Sequence, residues 1–125
     1  MMAGLDLERT YLSLDGQGQV RTHAAEGFWA TVGSNTTLLG TLVGGYVSTE
    51  DWPHWEMHPA GEEVLVLIEG RMTLILDEPA GERRVEMTPG STCIVPRGIW
   101  HRAIVPEASR FVGITYGAGT QHRPL

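Results

Sequence analysis

A single cysteine, Cys93, makes up the whole thiol inventory of this 125-residue chain, and one thiol cannot close an internal disulfide. Nothing then calls for an oxidising compartment, and a cytoplasmic setting is expected. No neighbour of Cys93 would lower its pKa, so it reads as an ordinary buried strand cysteine. The chain also lacks any tract of about 18 apolar residues, so no helix is expected to span a membrane. The opening MMAGLDLERTY has no basic stretch followed by an apolar one, and is not read as a secretory signal. Without a secretory route, the sequon-like NTT beginning at Asn35 is expected to be a turn. Basic residues are scarce, nine against fifteen acidic ones, for a formal charge of −6. That balance argues against nucleic acid and anionic membrane surfaces as partners. Finally, no stretch keeps a helical apolar period for three turns, which removes the helical bundles.

What is present is punctuation. Sixteen glycines and seven prolines separate short runs of β-branched and aromatic residues, the pattern of an all-β sandwich or barrel. Strands are expected over residues 10–14, 19–23, 28–32, 36–48, 52–58, 63–69, 71–77, 83–87, 91–96, 100–105 and 110–116. The segment DEPAGERR, 77–84, reads as a hairpin turn, and the glycines within 37–48 as a bulge or a close backbone approach. The last residues, GAGTQHRPL, read as a tail, either tied down or frayed. With no linker, repeat or low-complexity segment, residues 1–125 are expected to form one domain.

Metal-capable side chains concentrate in DWPHWEMHPAGEEVLVLIEG, residues 51–70. His54 and His58 have the i, i+4 spacing of helical zinc sites, but Pro53 precedes the first and Pro59 follows the second. A residue before proline is pushed out of the α region, so His58 should be extended. On a strand, Glu56 and His58 share a face roughly 6.5 Å apart and can share one metal ion. His54 lies on that face too, but roughly 13 Å from His58 along a straight strand, too far to join them unless the strand bends. Past PAGE, Glu63 begins the returning strand. With Glu63 inward, Leu65 and Leu67 also face in, while Val64, Val66 and Ile68 face out. An outer face so aliphatic needs cover from a second sheet or a second subunit, so a homodimer is expected.

Two motifs carry a resemblance. The pattern E-x-H-x4-E-x6-G, made by Glu56, His58, Glu63 and Gly70, resembles the first motif of the cupin family. GSTCIVPRGIWH reads G-x5-P-x-G-x2-H through Gly90, Pro96, Gly98 and His101, and is similar to the second. The chain departs from the family at three places: Glu56 stands where a histidine is usual, Glu50 where the first motif opens with glycine, and Val105 where the second often ends in asparagine. Either motif alone is a weak signal, but both occur in order, over 56–70 and 90–101, in an all-β background. The resemblance implies a cupin-type double-stranded β-helix, a small jelly-roll barrel, with a metal inside it.

The ligand set it implies is Glu56, His58, Glu63 and His101. Two imidazoles and two carboxylates suit Zn²⁺, Mn²⁺, Fe²⁺ or Ni²⁺ without selecting one. The absence of a thiolate lowers the case for a structural zinc cage. With Glu56 bound, the two carboxylates cancel the charge of a divalent ion. With Glu56 displaced, His58, Glu63 and His101 form the two-histidine, one-carboxylate triad associated with non-haem iron. Alternatives stay open at each position: Glu56 as a solvated hairpin glutamate, the other three as a metal-free polar cluster, His54 as a surface histidine, and His122 as a solvent-exposed tail residue unless the tail folds over the barrel mouth and brings it near. Trp52 shares parity with Glu56 and His58 and is a candidate pocket residue, with His54 beside it. Trp55 and Trp100 should point away from the ligands and serve packing. Arg97 and Arg102 read as surface charges, and Glu69 as an inward residue deeper in the barrel or on its opposite rim.

Fold does not dictate reaction, and cupins include dioxygenases, isomerases, lyases, binding modules and storage proteins. The expected function is a metal-dependent enzyme, dioxygenase- or isomerase-like, acting on a small, partly apolar organic molecule. Glu56 is then the candidate catalytic base or displaceable ligand. The alternative is a non-catalytic module that binds or senses a small ligand. The native metal and the substrate are not readable from the residues.

Overall fold

The computed structural model describes residues 3–125. Among the described residues, nine strands run in chain order: β1 (Thr10–Leu14), β2 (Val20–Ala24), β3 (Thr41–Ser48), β4 (His54–Met57), β5 (Glu63–Glu78), β6 (Gly81–Met87), β7 (Thr92–Val95), β8 (Trp100–Thr115) and β9 (Gln121–Pro124). One helical turn, α1 (Phe28–Thr31), continues into a 3₁₀ turn over Val32–Ser34. The hydrogen-bonded path β2-β1-β3-β8-β4-β9 is joined to β5, β6 and β7 through β5 and β8. The all-β jelly-roll expectation holds, but the hydrogen-bonded sheet stays open rather than closing into a full barrel. Among the described residues, no helix is long and apolar enough to cross a membrane.

Two long strands organise everything else. β5 and β8 pair antiparallel, from Glu63 opposite Thr115 to Asp77 opposite Trp100. Sequence punctuation divides each of them into two strands, at Gly70 and after Val105. The structure keeps each continuous and bends the pair instead, with register shifts between Leu67 and Thr73. Gly70 sits at that bend with φ 93°, and a Cβ there would collide with Ser109 Oγ and the Ala108 carbonyl. Ser109 is fully buried; its hydroxyl oxygen accepts the Arg71 N–H at 3.1 Å and lies 3.0 Å from the Arg71 carbonyl. The shift also turns Glu69 outward, where it faces Arg110 instead of the interior.

The inward alternation of β5 is as expected. Glu63, Leu65 and Leu67 are buried, and Ile68 is exposed. Leu74, Leu76, Val95, Ala103 and Phe111 belong to the same main core, as does Cys93, whose thiol burial pushes upward in pKa. A smaller cluster of Tyr11, Phe28 and Leu42 lies under the N-terminal strands.

Other expectations are corrected. Residues 28–32 are a helical turn, not a strand. Gly27 enters it at φ 72°, and only Phe28 of α1 is buried, edge-on to Tyr11 with ring centroids 5.1 Å apart. One anchored ring with no strand partner favours a turn over an extended segment. The expected strand 36–48 begins only at Thr41, because Asn35 Oδ1 accepts the Thr37 N–H at 3.0 Å in a side-chain-capped turn. That turn is the expected fate of NTT. The glycines of β3 do mark close approach: a Cβ on Gly45 would lie 3.1 Å from the Leu7 backbone. The expected strand 52–58 shortens to His54–Met57, and the tail is tied down as β9.

Gly70→Ala should lower stability by roughly 2 kcal/mol or more, through the left-handed backbone cost and the collision with Ser109. Gly16→Ala, at φ 81° but with open space around it, should cost clearly less. Urea midpoints at unchanged slope measure both.

Candidate metal centre

β4 is short because prolines flank it, yet it sits between two partners. Glu56 is opposite His101 on β8 and opposite His122 on β9. Directly opposed residues project from the same face, so the three side chains form a row across three strands. His58 follows the end of β4, where its carbonyl accepts the Gly98 N–H of the second motif at 3.0 Å. Glu63 opens β5 opposite Thr115. The chain thereby brings all four expected ligand residues to one place.

Their donor atoms converge. Glu63 is 5% exposed and lies between the imidazoles, Oε1 at 3.1 Å from His101 Nε2 and Oε2 at 3.2 Å from His58 Nε2. Glu56 approaches from the cavity side, at 4.0 Å from His58 Nε2 and 3.9 Å from His101 Nε2. Glu56, His58 and His101 each offer a donor atom within 4.8 Å of the others, spacing that can hold a metal ion. The far side of each ring is fixed. His101 Nδ1 donates to the Ile99 carbonyl at 3.0 Å, and His58 Nδ1 lies 2.8 Å from Thr120 Oγ1. His58 Nε2 is fully buried and, out of line with Glu63, has no hydrogen-bond partner. An orphaned imidazole nitrogen facing two carboxylates and a second imidazole fits a divalent cation.

Charge follows from burial and pairing. Burial alone would raise the Glu63 carboxyl, but its contacts with His101 and His58 outweigh it and hold the pKa at about 2. The Thr115 hydroxyl also donates to Glu63 Oε2, at 2.5 Å. For His101, burial opposes the charged form, but the hydrogen bond and charge of Glu63 win and raise its pKa. Burial pushes the Tyr46 phenol well above its usual range, with Tyr11, Glu63 and Glu56 adding to it, so that hydroxyl stays neutral.

Glu56, His58, Glu63 and Thr115 form the polar end of a cavity of ≈ 1060 Å³, otherwise walled by Trp29, Leu38, Leu42, Tyr46, Trp52 and Phe111, and His101 is fully buried beside Glu63. No arginine or lysine lines it among the described residues. Trp52 takes its expected place, with ring centroids 6.2 Å from His101 and 6.0 Å from Phe111. His54 lines the cavity beside His122, ring centroids 4.6 Å apart, and donates nothing to the convergent set. Trp55 and Trp100 point outward as expected, against Arg102 and Arg123. Arg97 is exposed and donates to the Ala60 carbonyl at 2.6 Å.

Sequence reasoning undervalued His122 and missed Thr115, Thr120, Trp29 and Tyr46. His122 is half-exposed, yet its Nε2 is 3.7 Å from Glu56 Oε1. Its only local signal is alternation within a four-residue strand, and the pairing of β9 with β4 is remote in sequence.

Metal-free protein should show the charge of this cluster in its acid stability. The Glu63 pKa falls from 4.5 to about 2 on folding, so its contribution is present above 4.5 and lost as pH drops toward 2. The shift corresponds to something on the order of 3 kcal/mol. The raised His101 contributes oppositely, fully below 6.5 and less as pH rises through its folded value. Urea midpoints against pH should therefore peak at weakly acidic pH in the wild type and flatten on both sides in Glu63→Gln. An unchanged profile in the variant would remove the pairing from the account.

The sequence model of the Cupin domain family matches residues 43–115. Among curated proteins, none matches the chain in sequence. Solved structures do share its fold. Peruvianin-I, a cysteine peptidase from Thevetia peruviana latex, superposes with TM-score 0.59 at 17% identity, over 69% of this chain and 57% of that one. A cupin-2 domain protein from Shewanella frigidimarina gives 0.53 at 16% identity, over 61% and 70%. Bacillus subtilis oxalate decarboxylase, a protein with Mn(II) centres, gives 0.58 at 16% identity, over 69% and 24%. The chain thus spans little over half of the first of these and a quarter of the last, and at such identities the likeness is one of fold. With both motifs placed around one site and the family match covering more than half its length, the chain belongs to the cupin family.

Proposed function

We propose that this cupin binds one divalent metal ion through Glu56, His58, Glu63 and His101 and acts on a small, partly apolar organic molecule, as a dioxygenase- or isomerase-like enzyme. The observation that carries the reading is the convergence of two buried Nε2 atoms, one of them unpaired, on two carboxylates at the polar end of an apolar cavity. Zn²⁺, Fe²⁺, Mn²⁺ and Ni²⁺ all suit two nitrogens and two oxygens. Such an ion, when bound, supplies Lewis acidity or redox chemistry toward substrate oxygen.

The chain's own groups divide the remaining work. Glu63, buried and held by Thr115, keeps its charge and fixes the imidazoles. Glu56 is 28% exposed toward the cavity, so it is the carboxylate free to take a proton from a molecule bound there. The aromatic walls exclude water and favour an apolar or aromatic body. Two carboxylates without a facing arginine or lysine disfavour a dianionic substrate, so oxalate chemistry is not carried over from the Bacillus subtilis neighbour. The neutral Tyr46 hydroxyl is a donor for a substrate oxygen. The same reading includes a homodimer, supported by Ile68 and Ile94, 55% and 58% exposed on the outer face of the single chain.

Metal content of protein purified without chelator or affinity nickel should be near-stoichiometric, and low in the His58→Ala/His101→Ala variant. Wild type that stays empty when offered Fe²⁺, Mn²⁺ and Zn²⁺ would sink the metalloenzyme reading. Oxygen uptake by the iron-loaded protein with diketones or catechols then tests turnover. Ligand-dependent thermal stabilisation without turnover would make the cavity a binding module instead.

A further inference from the structure

The C-terminal segment that completes the centre lies beyond the residues matched to the family, which end at 115. Three contacts tie it to the cavity mouth. β9 pairs with β4 over its whole length, from His54 opposite Pro124 to Met57 opposite Gln121. The Arg123 guanidinium lies 5.3 Å from the Trp55 ring centroid and 4.6 Å from that of Trp100, and donates to Asp77 Oδ2 at 2.9 Å. Before the strand, Gly119 at φ 75° turns the chain tightly against Pro59.

That turn delivers one hydroxyl to the centre. Thr120 Oγ1 donates to the Gly117 carbonyl at 2.8 Å, so its lone pairs face the His58 Nδ1 hydrogen, also at 2.8 Å. A proton held on Nδ1 leaves Nε2 bare, and Nε2 is the buried atom that lacks a partner beside Glu63. His101 gets the same treatment from a backbone carbonyl within its own motif, Ile99. His58 has no such local acceptor and depends on a residue 62 positions further along the chain.

From these contacts we infer that Thr120 is the positioning residue of His58, and that β9 is a strap, clamped by Arg123 between two tryptophans, that sets the imidazole tautomer and ring orientation for metal. The inference rests on the metal reading above. Partners of this kind orient ligand histidines, and their loss typically weakens metal binding 10–100-fold.

Thr120→Val keeps the shape of the side chain and removes the acceptor, whereas Thr120→Ser keeps the acceptor. Zn²⁺ or Mn²⁺ affinity by competition with a chromogenic chelator should fall roughly 10–100-fold in Thr120→Val and stay within a few-fold of wild type in Thr120→Ser. Arg123→Gln should weaken binding in the same direction and shift tryptophan emission as Trp55 and Trp100 become wetter. A metal-independent arm reads the tautomer directly. In ¹⁵N-imidazole NMR of metal-free protein at alkaline pH, His58 should carry its proton on Nδ1 in the wild type and on Nε2 in Thr120→Val. A valine variant with wild-type affinity and an unchanged tautomer overturns the inference, as does a serine variant as weak as valine. If the wild type takes up no metal, the metal reading fails, and the tautomer spectra alone decide whether Thr120 orients His58.

Discussion

A carboxylate taken out of water must be paired, and the burial of Glu63 is the constraint on which the site depends. Leaving it unpaired would cost several kcal/mol, because the desolvation of an ion is recovered only through well-placed partners. The His101 imidazole and the Thr115 hydroxyl supply them, while His58 Nε2 borders the same carboxylate at 3.2 Å without a hydrogen bond. Both stand on β8, 38 and 52 positions along the chain from Glu63, so the folded jelly roll is what makes the charge tolerable. The arrangement leaves an excess of lone pairs facing one another, which is the electrostatic condition for a bound cation.

The two long strands make that meeting geometrically inevitable. β5 and β8 run antiparallel over their full length, so the start of one lies against the end of the other, and Glu63 meets Thr115. Because Leu76 of β5 and Glu56 of β4 both pair with His101, β8 also carries its histidine to the edge where β4 joins. The bend at Gly70 curls the pair so that both inner faces address the same cavity. A straight sheet would separate the polar end from the aromatic wall. The curvature therefore belongs to the site as much as to the core.

The cavity is chemically one-sided. Its acid and imidazole groups sit together, and Tyr46, Trp52, Trp29 and Phe111 line the approach. Cationic side chains are placed outside, where Arg102 and Arg123 stack on Trp55 and Trp100. This separation keeps arginine away from the carboxylates that would otherwise be neutralised by it. It also leaves substrate selection to shape, apolar contact and a few neutral donors.

Much of this was legible in the chain. The absence of helical periodicity, the spacing of glycine and proline, and the two motifs together determined an all-β cupin and pointed to Glu56, His58, Glu63 and His101. Strand alternation also sent Trp55 and Trp100 outward and Trp52 toward the cavity, since a period of two is a local property of extended backbone. Continuity was harder: Gly70 reads as an end in sequence and acts as a bend, because β8 continues beside it. The segment 28–32 has strand-like residues but pairs with no strand, and it coils with only the Phe28 ring of α1 buried. What only the tertiary structure decided is the company each ligand keeps. Thr120 and His122 reach the centre through the pairing of β9 with β4, Trp29 and Tyr46 through packing of the N-terminal layer. Such contacts depend on which strand edges remain free once the long pair has formed, and no local pattern of residues records that.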